Sequence, residues 1–331
     1  MRGSCSFPIP RRREPVRFVR RRQGALVKLS VATCQFPTSD NVLGNYRHVR
    51  QLLVDAQAKG AAVAHFPETG LSGYAGADRE SHEGMDWEAL RDCTLRLIDL
   101  AGELGLWVVL GSTHRLNSPH KPHNSLYIID DRGRLVDRYD KRFCAGDLTG
   151  ETGDLGHYTP GNHFSLFEIG GIRCGALICH DYRYPELYRE YKRRGVQLMF
   201  HSFHAAHLAP DRLELMEAEI GKEHHASSRG ATYPEITMSA TMIAAAASSH
   251  IWISCPNSSA QESCWGSFFV RADGVITGRL ERHDTGFLLS TVDTGAELYD
   301  STAAWRHRAM DGTLHSGSTV RDERSDCRTE V

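Results

Sequence analysis

The chain has 331 residues, 40% of them hydrophobic and 24% charged, and its 39 basic and 41 acidic side chains sum to −2. That composition excludes disorder throughout, and no run approaches the roughly 18 apolar residues that a membrane-spanning helix needs. Residues 1–28 carry eight arginines and Lys28 against Glu14, or +8, which leaves −10 for the rest, and so acidic a body argues against nucleic acid as a main partner.

Residues 1–24 contain Pro8, Pro10 and Pro15 and lack the apolar core of a secretory signal, so they read as a basic, disordered extension. Val27 to Cys34 alternates like a strand, Asp40-Asn41 caps a helix running to about Lys59, and Ala61 to Phe66 is the next strand. This β-α-β unit ends in Pro67-Glu68. Trp87, Leu90, Thr94, Leu97, Ala101 and Leu104 share one helical face, and Gly105 stops that helix. Leu106 to Leu110 is an apolar strand. Asn124–Ile129 and Arg134–Tyr139 form a hairpin around Asp131-Arg132-Gly133, and Lys141 follows it.

Phe164–Ile169 and Ile172–Ile178 form a second hairpin, Pro185 starts a helix that ends near Gly195, and Val196–Phe200 is a strand. Beyond it lie a small-residue helix over Thr237–Ser248 and strands near His250–Ser254, Ser267–Val270 and Gly286–Val292. Residues past about 311 read as unstructured. Two β-α-β units bracketing hairpins predict mixed α/β architecture in one domain over residues 25–295, with a C-terminal extension over 296–331 that is disordered near its end. Nine cysteines, an odd number with no Cys-x-x-Cys pair, fit reduced thiols in the cytoplasm.

Cys179 ends an apolar strand just ahead of a helix start, where the helix dipole is expected to lower a thiol pKa. An isolated strand cysteine is more often an inert core residue, so its partners must decide. Glu68 and Lys141 each follow a strand and can reach the same sheet rim. A carboxylate there can act as general base and return the proton to a departing amine, while an ammonium favours thiolate and oxyanion.

Phe66-Pro67-Glu68 with Gly70, Ser72, Gly73 and Tyr74, then Tyr139-Asp140-Lys141, then Leu177 to Glu186 around Cys179-His180-Asp181 resemble the nitrilase, or carbon–nitrogen hydrolase, superfamily in order and separation. The resemblance covers roughly residues 26–295. It implies a four-layer α-β-β-α sandwich with two mixed sheets, a Glu68-Lys141-Cys179 triad, a thioester intermediate, no metal or organic cofactor, and a homodimer or larger homo-oligomer. It also implies an amidase acting on a small-molecule amide, since Cys-His-Asp is closer to the amidase-like branch than the Cys-Trp-Glu of nitrilases; a carbamoyl amide or nitrile stays open. Arg183 and Glu186 are expected to hold local structure.

The family's second carboxylate falls on Glu151 or Asp154, and glutamate is preferred by residue type. Tyr74, His180 and His204 are candidate substrate contacts. A different class, a metal-dependent hydrolase, would use His201, His204 and His207, spaced three apart. A non-catalytic interaction protein would lack a triad member, and all three are present.

Overall fold

The structure, a computed structural model, describes residues 27–147 and 149–329, so the extension expected over residues 1–24 lies outside the described residues. The strands are β1 (Lys28–Gln35), β2 (Val63–His65), β3 (Trp107–His114), β4 (His123–Ile129), β5 (Leu135–Asp140), β6 (Leu166–Ile169), β7 (Ile172–Ile178), β8 (Leu198–Ser202), β9 (Trp252–Cys255), β10 (Phe268–Val270), β11 (Ile276–Arg279) and β12 (Gly286–Asp293). They form two six-stranded mixed sheets, in the orders β12-β1-β2-β3-β4-β5 and β11-β10-β9-β8-β7-β6.

Helix α1 (Val42–Ala58) follows Asn41, whose side chain accepts from the Gly44 amide, and α2 (Trp87–Leu104) follows Asp86, which accepts from the Ala89 amide. Each cap satisfies a donor that the first helical turn leaves free. Gly105 ends α2 in the left-handed region at φ +61. Apolar residues three and four apart, Val49, Leu52 and Ala56 in α1 and Leu90, Cys93, Leu97 and Ala101 in α2, are buried against Ala32, Ala64, Val108 and Leu110 of the first sheet. The alternate residues of those strands, Val31, Val63 and Val109, face Ala176 and Phe200 of the second sheet, whose far side is covered by α4 (Pro185–Arg193) and α7 (Tyr233–Ser249). The period of two along each strand thus creates two cores and a four-layer α-β-β-α sandwich.

The remaining helices are α3 (Gly153–His157), α5 (Pro210–Ile220), α6 (Lys222–Ser228), α8 (Arg306–Met310) and α9 (Glu323–Asp326). Sequence patterning misses α5 and α6 because neither buries a residue, so no apolar stripe marks them. It also starts α7 late. The structure begins that helix at Tyr233, after Thr232 accepts from the Glu235 amide. The stretch past 311, expected to be unstructured, contains the short exposed turn α9. Among the described residues no helix is long and apolar enough to cross a membrane.

Strand β3 runs past the expected Leu110 to His114, and Gly111 is what lets the chain after β2 lie against it. A Cβ at Gly111 would fall 1.9 Å from the Pro67 carbonyl oxygen and 2.8 Å from the Thr69 nitrogen. The Gly111 carbonyl accepts from Leu71, and the Glu68 amide donates to Phe203 beyond β8, at 2.9 and 3.2 Å. Gly111→Ala is therefore expected to lower stability by about 3 kcal/mol, since that clash is with backbone. Gly60→Ala, with φ +80 and nothing within 4 Å of a built Cβ, pays only for its left-handed backbone, about 1 kcal/mol. Denaturant midpoints of the two variants check this, and equal values would refute the close approach.

Candidate active site

Three strand ends supply the centre of the rim. Cys179 follows β7 in a 3-10 turn, Cys179–Arg183, at φ +36, an expensive conformation for a residue with a Cβ. Hydrogen bonds hold it. Asp181 Oδ2 accepts from the Ile178 amide at 3.0 Å and the Tyr139 hydroxyl at 2.8 Å, and its Oδ1 accepts from the Phe143 amide at 2.8 Å. Burial pushes the Asp181 carboxyl up to about 6, against those three donors. His201 Nε2 donates to the Cys179 carbonyl at 3.1 Å, while its Nδ1 accepts from Tyr188; burial lowers its pKa to about 3, so the ring is neutral.

Lys141 follows β5 and is buried. Its Nζ lies 2.7 Å from Glu68 Oε1 and 2.6 Å from Asp154 Oδ2, and 5.8 Å from the centre of the Tyr74 ring. Burial alone would discharge the ammonium, but Glu68, Tyr74 and Asp154 raise its pKa well above the ordinary value. Burial likewise opposes charge on Asp154. Lys141, the Tyr74 hydroxyl and the Ala145 amide nonetheless hold that carboxyl below the usual range.

Glu68 Oε1 also accepts from Asn124 Nδ2 at 2.7 Å, whereas its Oε2 is buried without a hydrogen-bond partner among the described residues. An unpaired buried carboxylate oxygen is costly and is a ready proton acceptor. The Cys179 thiol is pushed well above its ordinary pKa by burial and by Glu68, against Lys141 and the His204 backbone N–H. The lowered thiol pKa expected from a helix start is therefore corrected. Only a five-residue 3-10 turn follows the cysteine, and burial beside a carboxylate outweighs its dipole.

Glu151 is exposed on the loop before α3, while Asp154 is buried on Lys141, so the preference for Glu151 is also corrected. Tyr74 stacks on His204 with ring centres 4.9 Å apart and donates to Asp154. His180 is half-buried, its pKa lowered by burial and by Lys141. Arg183 is exposed over the Tyr182 ring and Glu186 is exposed in the first turn of α4. The three spaced histidines diverge: His201 bonds Tyr188 and the Cys179 carbonyl, whereas His204 and His207 meet at Asp78. Among the described residues no three His, Cys, Asp or Glu side chains are grouped to hold a metal ion.

Sequence reasoning missed Asn124 and Asp78. Asn124 carried a signal, a buried polar residue near the start of a strand that turns apolar after Ser125. Asp78 carried none that separates it from the exposed Glu80 and Glu83 nearby.

Among proteins of known sequence, the chain is 25% identical to a 2-oxoglutaramate amidase of Bacillus subtilis over 53% of its own length and 64% of that protein. It is 28% identical to a nitrilase of Pyrococcus abyssi over 47% of its length and 57% of that one, and 28% identical to omega-amidase NIT2 of Homo sapiens over 53% and 60%. The chain spans 52–64% of the length of these and similar curated relatives. A solved amidase from Nesterenkonia sp. shares the fold at a TM-score of 0.61, with 20% identity over 87% of this chain and 99% of that one. A mutant of the amidase from Nesterenkonia sp. AN1, 19% identical over 87% and 98% with a TM-score of 0.61, shows covalent addition of the acetamide moiety of fluoroacetamide at its active-site cysteine. The sandwich and the rim thus sit in a chain whose residues 30–299 match the carbon-nitrogen hydrolase family, to which this protein belongs.

Proposed function

We propose that the protein hydrolyses the carbon–nitrogen bond of a small amide through a thioester on Cys179, with Glu68 as base and Lys141 as electrostatic partner. The observation that carries this is the buried group around the sulfur, a lysine ammonium clasped by two carboxylates, one of which keeps a free oxygen. At rest the thiol is protonated, so attack requires a base at the moment of reaction. Glu68 takes the thiol proton as sulfur adds to the carbonyl carbon. The oxyanion is met by Lys141 and the His204 N–H. Collapse expels ammonia or an amine, to which Glu68 returns the proton, and leaves the thioester. Water then attacks with Glu68 again as base, releasing the acid and restoring the thiol. Atoms balance as amide plus water giving acid plus ammonia or amine.

Asp154 holds Lys141 from the other side and Tyr74 holds Asp154. The amidase names of the relatives, and the cysteine adduct of the Nesterenkonia enzyme, support an amide substrate and a cysteine nucleophile. Side chains of Glu68 and Lys141 at most 1% exposed favour a small acyl group. Eight free cysteines among the described residues support a reducing, cytoplasmic setting, and a homodimer is proposed on family resemblance.

Cys179→Ala is expected to reduce ammonia release from small amides roughly 10⁴-fold or more and to abolish the acyl adduct in intact-mass spectra; retained turnover would refute the nucleophile. Asp154→Asn should lower kcat at least about tenfold while Glu151→Gln stays near wild type, because only Asp154 touches Lys141. The reverse order in steady-state rates would restore Glu151. In Glu68→Gln, iodoacetamide labelling of Cys179 should fall roughly 100-fold at pH 7 and climb as pH rises, because the base is gone while burial, the larger cause, still holds the thiol pKa up after the Glu68 charge that also raised it is removed. A pH-independent labelling rate equal to wild type would remove Glu68 from the step.

A further inference from the structure

One more carboxylate is fully buried beside this rim. Asp78 leaves the Glu68 loop with its side chain 0% exposed. Its Oδ1 lies 3.0 Å from His204 Nε2, 2.8 Å from His207 Nε2 and 3.3 Å from the Thr38 hydroxyl, and its Oδ2 accepts from the Tyr74 amide at 2.8 Å. Thr38 Oγ1 is in turn 2.7 Å from Ser258 Oγ and 3.1 Å from His204 Nε2. Three segments therefore meet at one carboxylate, the turn after β1, the Glu68 loop and the stretch after β8, and the loop after β9 joins them through Thr38.

Two imidazoles share one acceptor, and both have raised pKa values: burial opposes the rise at His204, and the bond from Asp78 leads it at His207. His207 has φ +57, a conformation a histidine keeps only when its surroundings hold it. Its ring does so through Asp78 and the Thr38 carbonyl, 3.2 Å from Nε2.

This arrangement reaches the sulfur by two routes. The His204 backbone N–H faces Cys179, and the His204 ring lies flat on Tyr74, whose hydroxyl bonds the Asp154 that holds Lys141. We propose that Asp78 is a positioning residue for the Cys179 chemistry: by binding His204 and His207 together it pins the stretch after β8, so that the His204 N–H stays aimed at the sulfur and at the oxyanion formed beside it. The proposal rests on the thioester reading above.

Asp78→Asn keeps the shape and loses the shared charge. Its kcat on a small amide is expected to fall about 10- to 100-fold, the scale of one misdirected oxyanion donor, with KM within threefold of wild type. Asp78→Glu should recover part of the loss, which a shape requirement alone would not allow. His207→Gln, on the partly exposed member, should cost kcat about threefold to tenfold and carries the same test if Asp78→Asn does not fold. Each variant is assayed where circular dichroism shows it folded. Turnover within twofold of wild type in Asp78→Asn and His207→Gln, or a loss confined to KM, would overturn the proposal. Cys179→Ala run in parallel separates the two claims: if it is inactive while the Asp78 and His207 variants match wild type, the positioning role alone falls, and if it stays active the thioester reading falls.

Discussion

A lysine ammonium taken out of water costs several kcal/mol unless charges and hydrogen bonds replace its hydration, and the rim is built around that requirement. Lys141 is buried between Glu68 and Asp154 at 2.7 and 2.6 Å, with the face of Tyr74 on a further side. The partners come from two separate loops, Glu68 and Tyr74 from the one after β2 and Asp154 from the turn into α3. Meeting the ammonium therefore fixes the chain after β2, the chain after β5 and the turn into α3 relative to one another. The same cation stands within reach of the Cys179 sulfur, where it opposes the effect of burial on the thiol. Stability and chemistry draw on one charge.

The surplus is asymmetric. Glu68 spends one oxygen on Lys141 and Asn124 and keeps the other unpaired in the interior. Such an oxygen is a local cost that a folded protein tolerates at a working site, and it is the group best placed to accept a proton. Cys179 adds a second local cost in its positive φ, offset by Asp181 and His201 on either side of the turn. Cys179 and Glu68 are thus both held in states that the surrounding hydrogen bonds, rather than local preference, maintain.

Glu68, Lys141 and Cys179 are legible in the sequence because each stands just past the end of a recognisable strand and within a motif of ordered neighbours. The two cores are legible too, since a period of two in strands and of three to four in helices survives on both sides of the first sheet. Asp154 was harder. Residue type points to Glu151, but Gly153 at φ +57, where a Cβ would fall 2.7 Å from the Ala145 carbonyl oxygen, lets the loop close so that the next residue turns inward. The thiol pKa was misjudged because a strand-to-helix junction suggests a full helix dipole, whereas the helix proper waits until Pro185. Asp78 and helices α5 and α6 depend on contacts, or on the lack of them, that no local pattern encodes.

The pairing of β1 with β12 is antiparallel along its whole length, Lys28 opposite Asp293 and Gln35 opposite Gly286. The first described strand is thereby completed by the last. During synthesis, the backbone donors and acceptors along that side of β1 wait unpaired while all the chemistry-bearing residues emerge, and they find their partner only when residue 293 has cleared the ribosome. Glu68, which lies three residues beyond β2, the neighbour of β1 on its other side, is exposed to the same delay. Maturation of the rim is in this sense timed by its most distant strand, and a nascent chain stalled before β12 would hold every reactive group without the sheet edge that steadies them.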